Sequence, residues 1–431
     1  MGRQGDDWLD HFADRVITPE KAASAVRDGD FVMSGLPEAT AFLEALGEAS
    51  HLTSFDVFVP APRHGGVAVA ANPAARMLTS FRTQILRDSG AAAELLPVRL
   101  NDWGNFIRRR KPRVAVFGVA TPEPDGTVRP GATMGANDSF VRREDRGPDD
   151  LVFGLVNPVV PHVPGDAFHV DDFDALIELP AGSDAMPVFD ERKAPADLDA
   201  FVGALDELIP DEATIQAGVG GIAEVALAEL THKRNLGIHT EVVGPGLTHL
   251  IETGAANGSK KSIYPDEAIF TISVPETFAF IDNNPKMRIE SASLVLDPNV
   301  IAQNRLMRCI NSSIEIDLWG QANSEMINGT QHSGVGGQLD FLRGCSLTND
   351  ALSILVLPST AAGGTKSRIV AQIAQNAVTA TRYDTQAVVT EYGIAHLRDA
   401  TVKQKAKRLI AIAHPDHRAE LHEGASRMGL V

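Results

Sequence analysis

A chain of 431 residues, 44% hydrophobic and 22% charged, is long enough for two cores and too ordinary in composition to be disordered or fibrous. Its 56 acidic against 39 basic residues leave a formal charge of −17, which excludes polyanion binding as a main task, although glycine loops can still hold a small phosphorylated ligand. Only Cys309 and Cys345 occur, without a CxxC pair, and neither a signal-peptide pattern nor a run of ~20 apolar residues is present, so the expectation is no metal site, no nucleic-acid or membrane partner, and a cytoplasmic location.

From Val16 a helix is expected, followed by a turn and strand over Asp28 to Gly35 and a helix from Pro37 to about Glu48. Short apolar runs at Phe55 to Val59, Val114 to Val119, Leu151 to Val156 and Leu176 to Leu179 read as buried strands, and their alternation with helices implies parallel pairing. The Pro-, Lys- and Asp-rich stretch between Pro187 and Leu198 reads as a junction. The fold class is therefore α/β, with one open domain over 1–193 and a second over 194–431.

In the second half a helix is expected over Leu198 to Ile209, a strand over Thr214 to Ala217, a helix over Ile222 to Leu230, a strand over Leu236 to Thr240 and a helix over Leu247 to Thr253. Further strands are expected at Ile269 to Ser273, Ser313 to Leu318, Leu352 to Leu357 and Ala387 to Thr390, with helices from Lys366 and from Thr401. A small echo links Gly218-Val219-Gly220-Gly221 with Gly334-Val335-Gly336-Gly337.

Each glycine loop precedes a helical run, where free backbone N–H groups can face a ligand and the missing side chains permit close approach. Either loop also fits a plain tight turn. Glu241 follows an apolar run and precedes Val242-Val243-Gly244-Pro245-Gly246, which places it at the carboxyl end of a strand, where ligands bind open α/β sheets. Position alone fits an exposed strand-end carboxylate as well as a reactive one. Glu391 in Val388-Val389-Thr390-Glu391-Tyr392-Gly393 is a rival acid, with a supporting role favoured. His239, His332, His414 and His417 form no familiar constellation, and His414-Pro-Asp-His417 reads as a C-terminal turn rather than a metal site.

Several ordered motifs resemble the acetyl-CoA hydrolase and CoA-transferase family. They are Gln216-Ala-Gly-Val-Gly-Gly-Ile222, His239-Thr-Glu241, Asp297-Pro-Asn-Val-Ile-Ala302, Ile310-Asn-Ser-Ser-Ile-Glu-Ile-Asp317, Ser333-Gly-Val-Gly-Gly-Gln-Leu-Asp-Phe341, Pro358-Ser-Thr-Ala-Ala-Gly-Gly-Thr-Lys-Ser-Arg368 and Val389-Thr-Glu-Tyr-Gly393. The N-terminal half is a looser match, at Gly29-Asp30 and Val156 to Gly165.

The resemblance implies two α/β domains of the CoA-transferase type with the active site between them, and a homo-oligomer, either dimer or tetramer. It implies Glu241 as the catalytic nucleophile and Val219 as an oxyanion donor. Gly218, Val219, Gly220, Gly221 and Ile222 would surround coenzyme A, with Asn311, Gly334, Gly336 and Gly337 beside it or the acyl group. No tightly bound cofactor is implied; acyl-CoA and a small carboxylate are the substrates. One departure stands out: a lysine common in this family before the double glycine is Ala362 here, with Lys366 nearby. Transfer of CoA through a glutamyl-CoA thioester leads, acyl-CoA hydrolysis is the near alternative, and a silent CoA-binding sensor is the alternative of another class.

Overall fold

The computed structural model describes residues 7–179, 197–218 and 221–431. The chain divides into two compact units, one made of Met1–Val188 with Thr271–Leu294 and the other of Phe189–Phe270 with Val295–Val431. The junction expected between 193 and 194 lies outside the described residues.

The second domain is not the continuous stretch that was expected, because 271–294 packs with the first unit. Backbone hydrogen bonds hold it there: Met134 N–H to Thr271 O at 2.9 Å, Ser273 N–H to Ala132 O at 2.8 Å and Ile289 N–H to Pro164 O at 2.9 Å. The strand expected over 269–273 accordingly divides into Ala268–Phe270 and Ile272–Ser273. Local patterning cannot show which of two sheets a segment will join.

Among the described residues, eight strands build the main sheet of the first unit: β1 (Val16–Ile17), β2 (Phe31–Ser34), β3 (Phe55–Phe58), β4 (Ala75–Thr79), β5 (Glu94–Leu95), β6 (Val114–Val119), β7 (Leu151–Val156) and β8 (Ala175–Glu178). Their order is β1-β8-β7-β6-β2-β3-β4-β5, and every neighbouring pair is parallel. From β2 the chain winds outward through β3 to β5, then returns to β6 on the other side, so winding reverses between β2 and β6. The stretch from Val16, expected as a helix, opens as β1. The helix starts at Pro19, where the Thr18 side chain caps it by accepting the Lys21 N–H at 3.2 Å and proline's fixed φ suits the first helical position.

The second unit carries β9 (Thr214–Ala217), β10 (Gly237–Ile238), β11 (Arg308–Ser312), β12 (Leu352–Val356), β13 (Ala387–Thr390) and β14 (Gly393–His396). The order is β10-β9-β11-β12-β13-β14, parallel except for the last pair. Here winding reverses between β9 and β11. The strand expected over 313–318 is reduced to Glu315–Asp317, and the central strand is β11. Ile316, Leu355, Val388 and Leu409 belong to the apolar core of this unit, as Phe42, Val57, Val116 and Ile177 do in the first.

The helix expected from Lys366 is absent. Thr360–Ala361 pairs with Lys366–Ser367 as a hairpin, and Ile369–Val370 runs parallel to Glu315–Asp317. Ile369 is fully buried in the core, so tertiary pairing overrides the helical spacing of its neighbours. Thr401 does start a helix, Val402–Ala411, through a capping box with Gln404. Among the described residues no helix is long and apolar enough to cross a membrane.

Candidate functional site

The carboxyl ends of β9, β10 and β11 converge at the reversal point of the second sheet, and the segment after β10 is anchored on both sides. His239 is fully buried. Its Nε2 donates to Val295 O at 2.7 Å and its Nδ1 accepts from Asn304 Nδ2 at 2.9 Å, a pairing that assigns the neutral Nε2–H tautomer. Burial pushes its pKa down to about 3, so the ring stays uncharged. Thr240 donates its N–H to Ile269 O at 3.0 Å, and its hydroxyl lies 3.2 Å from Ala217 O at the end of β9. The backbone leading into Glu241 is thereby held.

Glu241 is partly buried rather than fully exposed. Its Oε2 accepts the Gly337 N–H at 2.9 Å. Burial pushes its carboxyl pKa up to about 7; the Gly337 N–H opposes that shift and the Asp340 carboxylate adds to it. Gly336 has φ +56°, the left-handed region that favours glycine. At Gly337 the demand is steric: a Cβ there would stand 2.5 Å from Glu241 Oε2 and 2.5 Å from Leu296 Cδ2.

The first glycine loop leaves the end of β9 with Gly218 N–H donating to Ile310 O at 3.2 Å. A Cβ at Gly218 would meet Asn311 Oδ1 at 4.0 Å, and one at Gly221 would meet Ser312 Oγ at 3.3 Å. Asn311 and Gln216, both buried, exchange amide hydrogen bonds of 2.9 and 3.2 Å. Gln338 Nε2, in the helix Gln338–Ser346 that follows the second loop, approaches Ser312 O and Ser313 Oγ at 3.4 Å each. Ile222 opens the helix Ile222–Ala228.

Gly218, Gly221, Asn311, Glu241, Gly336 and Gly337 are thus gathered at one edge, while Val219 and Gly220 lie outside the described residues. Gly334 lies upstream in the second loop, where the N–H groups of His332 and Ser333 donate to Glu325 O at 2.7 and 3.1 Å.

The remaining candidates are occupied elsewhere. Glu391 accepts the Ser359 N–H at 2.8 Å and the Ser359 hydroxyl, so it fastens the turn after β12 to the end of β13. Lys366 is exposed on the hairpin whose tip, Ala362 to Gly364, has φ of 52°, 66° and 90°. His414 caps the helix Pro415–Arg427, and His417 Nε2 lies 3.0 Å from Gly364 O. Among the described residues no His, Cys, Asp or Glu group of three or more could hold a metal ion.

Local reading did not single out Gln216, Asn304, Leu296 or Asp340. Only Asp340 carried a usable signal, an acid in the first turn of a helix that begins at a glycine loop.

Residues 274–425 match the family profile described as the acetyl-CoA hydrolase/transferase C-terminal domain. The chain is 31% identical to the 4-hydroxybutyrate coenzyme A transferase of Clostridium kluyveri, over 96% of this chain and 98% of that protein. It is 30% identical to the succinyl-CoA:cyclohexane-1-carboxylate CoA transferase of Geobacter metallireducens, over 97% of each. Among solved structures, RipA from Yersinia pestis superposes with a TM-score of 0.89 at 29% identity, covering 99% of this chain and 100% of that one.

Proposed function

The chain belongs to the acetyl-CoA hydrolase/transferase family, and from that premise we propose that it moves coenzyme A from an acyl-CoA to a short carboxylic acid through a covalent intermediate on Glu241. The observation that carries this reading is the carboxyl of Glu241, pushed up to about pKa 7 yet held by the Gly337 N–H at 2.9 Å, at a sheet edge bordered by two glycine loops.

A carboxylate is a weak nucleophile toward a thioester and needs orientation and a stabilised oxyanion. In the proposed cycle the ionised Glu241 attacks the acyl carbonyl, the C–S bond breaks, and a mixed anhydride and CoA thiolate form. The thiolate attacks the Glu241 carbonyl and expels the donor acid as a carboxylate, leaving a glutamyl-CoA thioester. An acceptor carboxylate attacks that thioester, regenerating an anhydride and thiolate, and the thiolate then takes the new acyl group and frees Glu241. Every attacking group is already an anion, so the cycle uses no general base. By the family resemblance alone, the Val219 N–H is the expected donor to the oxyanion.

The test is trapping. Incubation with acyl-CoA and no acceptor, followed by borohydride, is expected to reduce the side chain of Glu241 to an alcohol detectable in its proteolytic peptide. An unmodified peptide after full exposure to acyl-CoA would overturn the covalent route. Measuring CoA release with and without acetate separates transfer from hydrolysis, since hydrolysis proceeds without the acid.

A further inference from the structure

The chain's two cysteines, 36 residues apart, meet inside the second unit. The Cys345 thiol donates to Cys309 Sγ across 2.9 Å, and both residues are fully buried. Cys309 lies in β11, in register with Gln216 of β9 and Ser353 of β12, while Cys345 lies in the last turn of the helix Gln338–Ser346. That end of the helix is pinned. Arg398 Nη2 and Gln386 Nε2 reach Cys345 O at 3.3 and 3.5 Å, and Gly344 lets the helix seat on Ile301, since a Cβ there would stand 2.4 Å from Ile301 Cγ2. Strand and helix therefore hold the two sulfurs facing each other. A disulfide requires them to approach by only roughly 0.9 Å from this contact.

The other end of the same helix bears on the candidate site. It begins at Gly337, the donor to Glu241, and carries Asp340 in its first turn, while β11 carries Asn311 two residues beyond Cys309. A bond between Cys309 and Cys345 would thus tie the helix to the central strand behind the site.

We propose that Cys309 and Cys345 form a peroxide-oxidisable dithiol whose disulfide clamps the helix that follows Gly337 to β11. In the first step one thiolate attacks a peroxide oxygen, the O–O bond breaks, hydroxide leaves, and a sulfenic acid forms. The second sulfur then attacks the sulfenic sulfur, the S–S bond forms, the S–O bond breaks, and water leaves. In sum the thiols give up two electrons and two protons, and hydrogen peroxide becomes two waters. A thiol reductant reopens the bond by exchange. Burial pushes the Cys309 thiol pKa well up, so it stays protonated in the closed fold and attack requires local opening of the helix end. Closure is accordingly slow, and the finished bond is shielded.

The experiment incubates the full-length protein with hydrogen peroxide a few degrees below its Tm, removes the peroxide with catalase, and alkylates the remaining thiols after unfolding. Digestion without reductant is expected to yield a peptide pair joining Cys309 to Cys345, lighter by two hydrogens than its reduced parts and absent after dithiothreitol. The oxidised protein should stay monomeric in a denaturing gel, gain a few degrees in Tm, and exchange its amides over 338–346 more slowly. Cys345→Ser, treated alike, should show neither the link nor the gain. Should that variant fail to fold, dithiothreitol treatment of the oxidised parent serves as the control and should return Tm to its starting value. Two alkylated thiols after prolonged exposure, or sulfinic acids in place of the link, overturn the site. A complete link with unchanged Tm and unchanged exchange in the helix overturns the clamp.

Discussion

Gly337 donates its backbone N–H to Glu241 Oε2 across 2.9 Å, and only a residue without a side chain can do so at that place. The donor orients the carboxyl and favours its charged form, while Asp340, in the same helix, disfavours it. The ionisation of the acid is thus biased by two opposed neighbours at one helix end, acting on a group that burial has already made reluctant to ionise.

Gly337→Ala should therefore impair catalysis with little backbone strain, because φ at this residue is −101°. The new methyl group displaces the Glu241 carboxyl, and a shift of ~1 Å in a reacting group is expected to lower kcat about a hundredfold. Gly336→Ala acts differently: with φ +56° it strains the backbone and should cost about 1 kcal/mol of stability. Comparing kcat and Tm for the two variants checks the distinction. Equal kcat losses with equal Tm losses would mean that the loop, and not the carboxyl, is being read.

In the proposed cycle the free enzyme needs Glu241 ionised, so a pKa of about 7 should place the acid limb of kcat/KM near neutrality, with activity rising as pH rises through that value. Asp340→Asn removes a charge that raises this pKa, so the limb should move to lower pH. A pH profile of kcat/KM for both proteins, with a pH-independent acyl-CoA, checks the direction. A limb that stays in place in the variant would mean that Asp340 does not act on Glu241.

Much of this site was legible one strand at a time. The runs that became β6 and β7 are apolar throughout, because a parallel strand is covered on both faces, and they and β9 lie where patterning put them. β11 escaped notice because it opens on Arg308 and ends on Asn311 and Ser312, polar residues that serve the sheet edge rather than the core. The two glycine loops and Glu241 were visible as candidates. What local spacing could not supply is the meeting of Gly337 with Glu241 across 96 residues, or of Gln216 with Asn311 across 95, since only the sheet order brings those segments together. The hairpin at Thr360–Ala361 fails for the same reason: Ile369 has helical-looking neighbours, yet its burial is decided by Glu315–Asp317.

Holding Glu241 reactive should weaken the fold. Its pKa rises from an ordinary 4.5 to about 7 on folding, so between those values the folded chain binds the extra proton and stability falls as pH rises. Above about pH 7 the cost is complete, at most about 3 kcal/mol for a partly buried group. Glu241→Gln keeps an oxygen for the Gly337 N–H and removes the charge. Its Tm should exceed that of the parent at pH 8 and match it below about pH 4.5. His239 titrates identically in both proteins and drops out of the difference. Differential scanning calorimetry across this range is the measurement; a gap that is constant with pH would rule out ionisation as its source.

His239 stands next to a catalytic candidate and invites the role of a general base, but its contacts argue for a structural one. Both ring nitrogens are engaged, with Val295 O and Asn304 Nδ2, and Phe341 packs edge-on with ring centroids 6.1 Å apart. With its pKa down to about 3 in the fold and 6.5 outside it, the folded chain refuses a proton that the unfolded chain accepts, so this ring withdraws stability as pH falls between those values. His239→Gln should leave part of the network unsatisfied and lower stability by about 1 to 3 kcal/mol. The acid limb of kcat/KM should keep the position set by Glu241 even where overall activity drops. Retained stability together with a shifted limb would instead make His239 a participant in proton transfer.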